Sequence, residues 1–420
     1  MGDQLAIHGG EPVAKEPFPS TNLGPSAIGD EEIQAVTDVL RSRNVFRFTN
    51  REQSRCAELE RLFSRMTGCP YALAVGGGTG ALIAGLVGIG VGEGDEVIVP
   101  GYTYIASASA ALIVGALPVI AEIDETLTLD PNDIERNITS RTRAIMPVHM
   151  RGIPCDMDPI LRIARAHGLK VIEDTSQACG GSYKGRRLGA LGDAGTFSFQ
   201  QSKVMTAGEG GMLVTHDRHV FERAAIRHDS AMCYWDPENT TVQPFPGENF
   251  RMNELEGALG CVQFARVETI LARTRALQQR IREGIDGLPG ITLHQPPDPE
   301  GDCGITLTMF FATSDKAREF AEIIRAEGIP AGSMYDQGIP DRHVYCYWEY
   351  VMQKLSGDRH GWPWTSPRHD QNRTYSADMC PRTLDILGRA VVLPISQTFE
   401  DRHAEMMVEG VRKVAMALAT

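Results

Sequence analysis

The sequence lacks the features of membrane and secreted proteins. Its most apolar stretch, residues 110–123, is short and interrupted by Gly115 and Pro118, so no segment is long enough to span a bilayer. The nine cysteines are dispersed without a CxxC pair, which predicts reduced thiols and neither a disulfide framework nor a zinc site. Residues 1–4 show neither the basic nor the apolar region of a signal peptide. These absences predict a cytoplasmic protein without a bound metal.

Positive charge is also scarce. The chain has 41 Lys and Arg against 54 Asp and Glu, a net charge of -13. So acidic a chain is not expected to bind nucleic acid or an anionic membrane surface. Any anionic ligand must therefore be met by local cations and backbone dipoles. The 420 residues, of which 42% are hydrophobic, suffice for two or three globular domains.

Short strand-like and helix-like segments alternate from residue 71 onward. The strand-like runs are residues 71–75, 96–99, 117–123, 143–148, 170–173, 196–199 and 212–215. This alternation predicts an α/β fold, with a mixed and mostly parallel sheet flanked by helices. Apolar residues at helical spacing then predict one long helix over residues 253–285.

The long helical pattern stops before Gly287 and Pro289, which predicts a domain boundary. We expect an N-terminal arm and a large domain over residues 1–285, and a smaller C-terminal α+β domain over residues 286–420. Within the latter, a polar and aromatic-rich insertion at about residues 336–381 is too long for a simple connection. It is predicted to be a substrate-binding loop or lid, the alternative being a structural cover packed on the small domain.

Lys203 occupies an unusual position. It follows the apolar segment TFSF and the residues QQS, and the glycine-rich turn GEGG comes soon after it. A lysine held at the end of a buried strand is partly desolvated, which lowers its pKa and makes the amine nucleophilic toward carbonyls. A single lysine in such a loop is more often a surface residue, so the interpretation depends on other motifs.

Two polar side chains follow the predicted strand 170–173. In a parallel α/β sheet, ligands bind at the carboxyl ends of the strands. Asp174 could hold a protonated pyridine nitrogen there, and Gln177 could reach a neighbouring ring oxygen. The alternative for Asp174 is a turn or helix-cap aspartate.

A glycine-rich segment, residues 76–80, leads into a predicted helix. Free N–H groups and the positive end of the helix dipole suit an anion, typically a phosphate. Ser198 could add a hydroxyl to the same phosphate, and the ring of Tyr104 could stack on a flat cofactor. The alternatives are a tight packing turn for the glycines and a core position for Tyr104.

Together these features call for a flat, phosphorylated pyridine aldehyde, which is pyridoxal 5'-phosphate. The blocks that carry this chemistry are GGTGAL, DEVIVPGYTYIAS, VIEDTSQACGGSYKGRRLG, TFSFQQSK and GENFRMNELEGALGCVQ. In this order they resemble the DegT/DnrJ/EryC1/StrS family of sugar and cyclitol aminotransferases, which have the fold-type I architecture. The resemblance extends from the opening LAIHGGEPV to the last predicted helix.

The resemblance implies a role for each matching residue. Lys203 would be the catalytic Schiff-base lysine, Asp174 the partner of the pyridinium nitrogen, and Gln177 the partner of the phenolic oxygen. The other implied cofactor contacts within one chain are Gly78, Thr79, Gly80, Tyr104 and Ser198.

The resemblance also implies partners and substrate contacts. Asn249 and Arg251 match a segment that reaches the cofactor or the substrate of a neighbouring subunit, which implies a homodimer with shared active sites. His343 falls where the family often has a substrate-contacting histidine. The chain departs from the common pattern at Gly77, where many members have serine, and in the length of its insertion.

The implied reaction moves an amino group from glutamate or glutamine to a keto group of a nucleotide-linked or higher-carbon sugar. Such chemistry serves the biosynthesis of antibiotics or polysaccharides that contain aminosugars. A scyllo-inosose-type cyclitol aminotransferase and a dehydratase of the aminohydroxybenzoate-synthase type remain open alternatives. Other dehydratases of the family usually have histidine at the position of Lys203. A nucleotide-binding oxidoreductase would leave Lys203, Asp174 and Gln177 without roles.

Overall fold

The computed structural model describes residues 4–231, 234 and 240–419. A central sheet is built from seven of the first nine strands, and the other two form a small hairpin. In chain order the strands are β1 (Tyr71–Val75), β2 (Glu96–Pro100), β3 (Leu117–Ala121), β4 (Thr142–Ile145), β5 (Lys170–Asp174), the hairpin strands β6 (Ser182–Tyr183) and β7 (Arg186–Arg187), β8 (Ala194–Ser198) and β9 (Gly211–Thr215).

The spatial order of the central sheet is β1-β9-β8-β5-β4-β2-β3. The five strands from β8 to β3 run parallel, whereas β9 and β1 are antiparallel to their neighbours. The prediction of a mixed and mostly parallel sheet is therefore confirmed. Because Asp174 pairs with Thr196 in the register of β5 and β8, the carboxyl ends of these two strands lie side by side.

Both faces of the central sheet are buried. Along β2, Val97 and Val99 belong to one apolar core and Ile98 to another, as expected when successive side chains point to opposite faces. The helices that accompany this sheet are α1 (Asp30–Ser42), α2 (Arg55–Thr67), α3 (Gly78–Gly88), α4 (Ala106–Ile113), α5 (Pro131–Asn137), α6 (Met157–His167), α7 (Arg218–His228) and α8 (Glu254–Ile285). None of the helices among the described residues is long and apolar enough to cross a membrane.

The long helix α8 begins as its sequence predicts. The Asn253 side chain accepts hydrogen bonds from the N–H groups of Leu255 and Glu256, and the Glu256 carboxylate accepts one from the N–H of Asn253. This reciprocal arrangement satisfies N–H groups that have no partner inside the helix. The helix ends at Ile285, before the second sheet begins.

The second sheet is antiparallel, in the order β10-β11-β13-β12. Its strands are β10 (Thr292–Leu293), β11 (Thr306–Phe310), β12 (Gly332–Ser333) and β13 (Ala390–Pro394), and its chain segment also contains helices α9 (Ser314–Ala326), α10 (Glu349–Met352), α11 (Pro381–Gly388) and α12 (Asp401–Leu418). Leu5 and Ala14 of the predicted arm pack into the core beside this sheet, as does Ile281 of α8. The division of the chain at residue 285 stays a prediction.

The insertion at about residues 336–381 packs against the central sheet. Val344, Trp348 and Val351 are fully buried in the same core as β2. The Tyr375 hydroxyl donates to the carbonyl of Pro118 on β3, at 2.8 Å. Since β3 ends the order of strands, this contact helps to cover an edge that would otherwise expose unpaired backbone groups.

Candidate active site

A cavity of about 440 Å³ lies at the carboxyl ends of the parallel strands. It is lined by predicted site residues that are far apart in the sequence, namely Gly78, Thr79, Tyr104, Asp174, Gln177, Ser198, Lys203 and His343. The predicted residues Gly80, Asn249 and Arg251 are not part of this lining. No group of His, Cys, Asp and Glu side chains suited to a metal ion occurs among the described residues.

Lys203 reaches the cavity from a turn just beyond β8. The turn is closed by a hydrogen bond from the N–H of Lys203 to the carbonyl of Gln200, at 3.0 Å, and the carbonyl of Lys203 accepts from the N–H of Gly24, at 2.9 Å. Burial lowers the pKa of the Lys203 ammonium, while the charge of Asp174 acts in the opposite direction. Because desolvation dominates, the amine is more readily available as a nucleophile or base than that of a surface lysine.

Asp174 ends β5 at the cavity and is only 5% exposed. Its Oδ2 accepts a hydrogen bond from the Ser107 hydroxyl at 2.9 Å, and its Oδ1 accepts from the N–H of Ser176 at 3.1 Å. The bond from Ser176 is typical of a turn aspartate, which was the alternative to a cofactor contact. Asp174 therefore stabilises a turn and also lines the cavity. The carboxylate is thus held in place from the protein side.

Gln177 lines the cavity beside Asp174. Its Oε1 accepts a hydrogen bond from the N–H of Arg151 at 3.0 Å. Because the amide oxygen is used in this way, the donor Nε2 is the atom that can serve a ligand oxygen. The Arg151 guanidinium donates from Nε to the Tyr102 hydroxyl at 2.8 Å, which anchors the loop that orients Gln177.

The glycine-rich segment forms the turn between β1 and α3. Gly77 caps α3 without a side-chain hydrogen bond, so the first N–H groups of the helix can bind an anion. A Cβ atom on Gly78 would meet the Cβ of Ser198 at 2.7 Å. Only glycine therefore allows the start of α3 to approach Ser198 this closely. Gly80 faces the ring of Phe250 instead of the cavity, and its predicted role as a cofactor contact stays a prediction.

Tyr104 and His343 lie together, with ring centroids 5.4 Å apart and planes tilted by 52°. The alternative of a core position for Tyr104 is wrong, since 42% of its surface is exposed. The N–H of Thr103 donates to the carbonyl of His343 at 2.9 Å, which joins the loop after β2 to the insertion. Nδ1 of His343 lies 2.7 Å from Oδ1 of Asp341, a contact that orients the imidazole.

Asn249 and Arg251 lie on the segment that precedes α8. Nη1 of Arg251 donates to the carbonyl of Asp229 at 3.2 Å, and its guanidinium lies 5.6 Å from the ring centroid of Phe46. Asn249 forms an isolated antiparallel bridge with Asp229. Both residues thus lie outside the cavity of their own chain, and their assignment to a neighbouring subunit stays a prediction.

Several cavity residues were not singled out from the sequence. Apart from Gly77 of the predicted glycine-rich segment, the additional lining residues are Leu82, Thr103, Ala106, Val148, Met150, Ser176, Gln200, Ser202 and Glu209. Val148 and Met150 follow β4, so the rule that ligands bind at the carboxyl ends of parallel strands could have identified them. Ser107, which holds Asp174, lay inside one of the motif blocks but was given no role.

The comparisons with known proteins agree with this geometry. The sequence model of the DegT/DnrJ/EryC1/StrS aminotransferase family matches residues 26–358. The chain is 31% identical over 396 residues to the spore coat polysaccharide biosynthesis protein SpsC of Bacillus subtilis, covering 92% of this chain and 95% of the relative. It is 45% identical over 216 residues to the GDP-perosamine synthase of Caulobacter vibrioides, and this match spans 51% of the chain and 57% of the relative.

A solved structure confirms the architecture. The chain superposes on 3-amino-5-hydroxybenzoic acid synthase with a TM-score of 0.79 and 26% sequence identity, covering 96% of this chain and 100% of that chain. The fold is that of the fold-type I pyridoxal-phosphate aminotransferases, as predicted.

Proposed function

We propose that this chain, which belongs to the DegT/DnrJ/EryC1/StrS aminotransferase family, uses pyridoxal 5'-phosphate to aminate a keto sugar linked to a nucleotide. The observation that carries the proposal is that a desolvated lysine and a buried carboxylate line one cavity, next to a helix start whose N–H groups have no side-chain cap. The acceptor class is suggested by the GDP-perosamine synthase, whose name denotes a GDP-linked aminosugar.

The residues of the cavity fit the cofactor at each of its functional groups. The start of α3 and the Ser198 hydroxyl suit the phosphate, because Gly78 lets the two approach closely. Asp174 suits the ring nitrogen, and Nε2 of Gln177 suits the ring oxygen. Tyr104 is exposed to the cavity, where its ring can pack on a flat ligand. When bound, the cofactor supplies a carbonyl for amines and a ring that accepts electrons.

Lys203 and Asp174 divide the proton chemistry between them. Lys203 Nζ would hold the cofactor covalently and, once displaced by an amino donor, would move the proton at the donor's α-carbon. Its lowered pKa makes the free amine more abundant at neutral pH. Asp174 would keep a proton on the ring nitrogen, because a carboxylate stabilises a neighbouring positive charge strongly where water is largely excluded.

The amino donor is proposed to be glutamate or glutamine, and the acceptor is proposed to approach past His343. The chain is further proposed to act as a homodimer in which Asn249 and Arg251 serve the partner's cavity. These two residues lie outside the cavity of their own chain, as such an exchange requires.

Chemical trapping tests the cofactor assignment. Protein loaded with pyridoxal 5'-phosphate is treated with borohydride, digested and examined by mass spectrometry, and the label is expected on Lys203. Lys203→Ala should bind the cofactor without forming the reducible link. Lys15→Ala, which changes an exposed lysine paired with Glu11, should behave as the wild type. A label on any other residue would contradict the assignment.

Half-reactions test the substrate class. The loaded protein is first converted with glutamate or glutamine, and candidate acceptors are then added separately: a GDP-linked keto sugar, a dTDP-linked keto sugar and a cyclitol ketone. Recovery of the starting absorbance is expected with a nucleotide-linked keto sugar. Recovery with the cyclitol ketone alone would contradict the proposed nucleotide-linked acceptor but would still agree with an aminotransferase activity.

One alternative reaction has an observation in its favour. The 3-amino-5-hydroxybenzoic acid synthase shares the fold over the whole of its chain, which favours an elimination that ends in an aromatic amine. Because the nitrogen of an aromatic amine must then come from the substrate itself, incubation with a cyclic hydroxy ketone that already carries an amino group, in the absence of a separate amino donor, separates the two reactions. An elimination proceeds and releases water without the donor, whereas transamination of the acceptor stops.

Mixed dimers test the proposed sharing of active sites. Lys203→Ala and Asn249→Ala proteins are each expected to be impaired, and mixing them should restore part of the activity. A hybrid dimer has one site with both residues intact if the sites are shared across the interface. If each site is confined to one chain, no hybrid gains activity, and mixing leaves the rate at the average of the two variants.

A further inference from the structure

Two buried hydroxyl groups connect Asp174 to the start of α4. Thr103 and Ser107 are both fully buried. The Oγ atom of Ser107 lies 2.9 Å from Oδ2 of Asp174 and 2.7 Å from Oγ1 of Thr103. The N–H of Ser107 donates to the carbonyl of Tyr104 at 3.1 Å, which fixes the backbone that carries the hydroxyl. The three side chains therefore form one chain of hydrogen bonds inside the protein.

The carboxylate determines the direction of this chain. An ionised carboxylate has no proton to donate, so the Ser107 hydroxyl must donate to Oδ2 of Asp174. The Ser107 proton is then committed, and the bond between the two hydroxyls must be donated by Thr103. Each donation polarises the next, which strengthens the final bond to the carboxylate.

We propose that Ser107 is a positioning residue that, with Thr103 behind it, aims the Asp174 carboxylate at the ring nitrogen of the cofactor. One carboxylate oxygen is held by Ser107 and the other by the N–H of Ser176, so rotation of the group is restrained at both ends. The remaining lone pairs are thereby directed to the cavity. This inference rests on the proposed function, because the ring nitrogen belongs to the proposed cofactor.

A positioning role differs from a structural role in what it affects. If Ser107 only maintained the shape of the cavity, its loss would weaken the binding of any ligand of the same shape. If it aims Asp174, its loss weakens only the interaction with the ring nitrogen. The informative quantity is therefore the preference of the protein for pyridoxal 5'-phosphate over an analogue that has carbon in place of the ring nitrogen.

The experiment measures the dissociation constants of both compounds for the full-length apoprotein, by titration of absorbance. Ser107→Ala is expected to reduce the preference for the nitrogen-containing ring by about tenfold, close to the lower limit for one hydrogen bond to a charged group. Thr103→Val keeps the side-chain shape and removes the second hydroxyl, with an expected reduction of about threefold. Thr103→Ser keeps the hydroxyl and is expected to retain the preference of the wild type.

Ser109→Ala is the matched control. Ser109 is also on α4, but its hydroxyl contacts the carbonyl of Ile105 and the hydroxyl of Tyr350, not Asp174. The preference is expected to be unchanged in this variant. Circular dichroism and gel filtration of all variants establish that they fold.

The outcomes separate the inference from the function on which it rests. Equal loss of affinity for both compounds in Ser107→Ala would assign Ser107 a structural role, and unchanged affinity for both compounds would deny it a role; either result overturns the inference. A wild type that binds both compounds without preference would contradict the assignment of Asp174, and the inference with it. A wild type that binds neither would contradict the proposed function itself.

Discussion

Replacing Glu173 by glutamine removes the charge from a carboxylate that lies fully inside the protein, next to Asp174 in the same strand. Its Oε1 accepts hydrogen bonds from the N–H groups of Leu191 and Gly192, at 2.7 and 2.8 Å. Its Oε2 accepts from the N–H of Gly189 at 2.9 Å and lies 3.1 Å from Nε2 of His149. Each carboxylate oxygen therefore serves two nitrogen atoms.

A glutamine at this position must place its NH₂ group where one of the oxygens was. In either orientation a donor then faces two donors, so two hydrogen bonds are lost. A hydrogen bond to a charged group contributes roughly 1.5–3 kcal/mol, and the free energy of unfolding of Glu173→Gln is expected to fall by about 3–6 kcal/mol. The loop at residues 189–192 and the His149 side chain should loosen together.

The measurement is urea unfolding followed by tryptophan fluorescence at pH 7.5 and fixed protein concentration. Glu268→Gln is the matched control, because Glu268 is exposed and pairs with Arg187 at the surface. Such a pair contributes about 0–1 kcal/mol. If Glu173→Gln lost no more stability than Glu268→Gln, the four contacts of Glu173 would not be the determinants of stability that their geometry indicates.

Three further results are expected. Asp174→Asn should lower the transamination rate by two to four powers of ten, roughly 3–5 kcal/mol of transition-state stabilisation, and a near-normal steady-state rate would contradict the proposed role. Gly78→Ala should weaken cofactor binding, measured by absorbance titration, by about tenfold or more, because the new Cβ meets Ser198. Gly77→Ala is the matched control: its Cβ meets nothing within 4 Å, so cofactor binding should be unchanged. Burial lowers the pKa of His294 to about 4, against 6.5 when unfolded. As the pH falls from 6.5 to 4, the imidazole of His294 therefore becomes protonated in the unfolded chain alone, which lowers the free energy of unfolding by up to about 3 kcal/mol. Urea unfolding at both pH values should show this loss in the wild type and not in His294→Gln.

The central sheet was predictable because its signals are local. Each of its strands has a short apolar run bounded by turn residues, and the alternation with helical segments indicates a parallel arrangement. The hairpin of β6 and β7 was missed because two-residue strands have no measurable periodicity. The apolar run of β13 was missed for a related reason: four buried residues in a row do not distinguish a strand from part of a helix.

The insertion shows a second limit of sequence reasoning. Its aromatic and polar residues favoured a binding loop, but aromatic residues are also common in apolar cores. Tyr345 and Trp348 are fully buried, and Trp364 is nearly so. The sequence does not reveal whether these aromatic residues bind a ligand or pack in a core, because it does not show that the insertion contacts the edge of the central sheet.

The principal side chains of the candidate site were predictable from the sequence, but the residues that hold them in place were not. Asp174 ends a buried strand, and Gln177 and Lys203 lie shortly after buried strands, so the rule for parallel sheets places all three at one edge. The contact of Ser107 with Asp174 joins residues 67 positions apart. It depends on how the loop after β2 bends over the end of β5, which no local pattern encodes.

Hydrogen bonds between the insertion and the loop after β2 explain how the insertion contributes to the cavity. Tyr102 pairs with Val344 in an antiparallel bridge, and the N–H of Ile105 donates to the carbonyl of Arg342 at 3.0 Å. The indole N–H of Trp348 donates to that same carbonyl at 2.9 Å. The buried part of the insertion thus fixes the backbone before His343, and the loop after β2 is tied to it. Because Tyr104 lies on this loop and His343 on the insertion, the insertion is a structural cover that also shapes the cavity: its buried aromatics hold in place residues that line it.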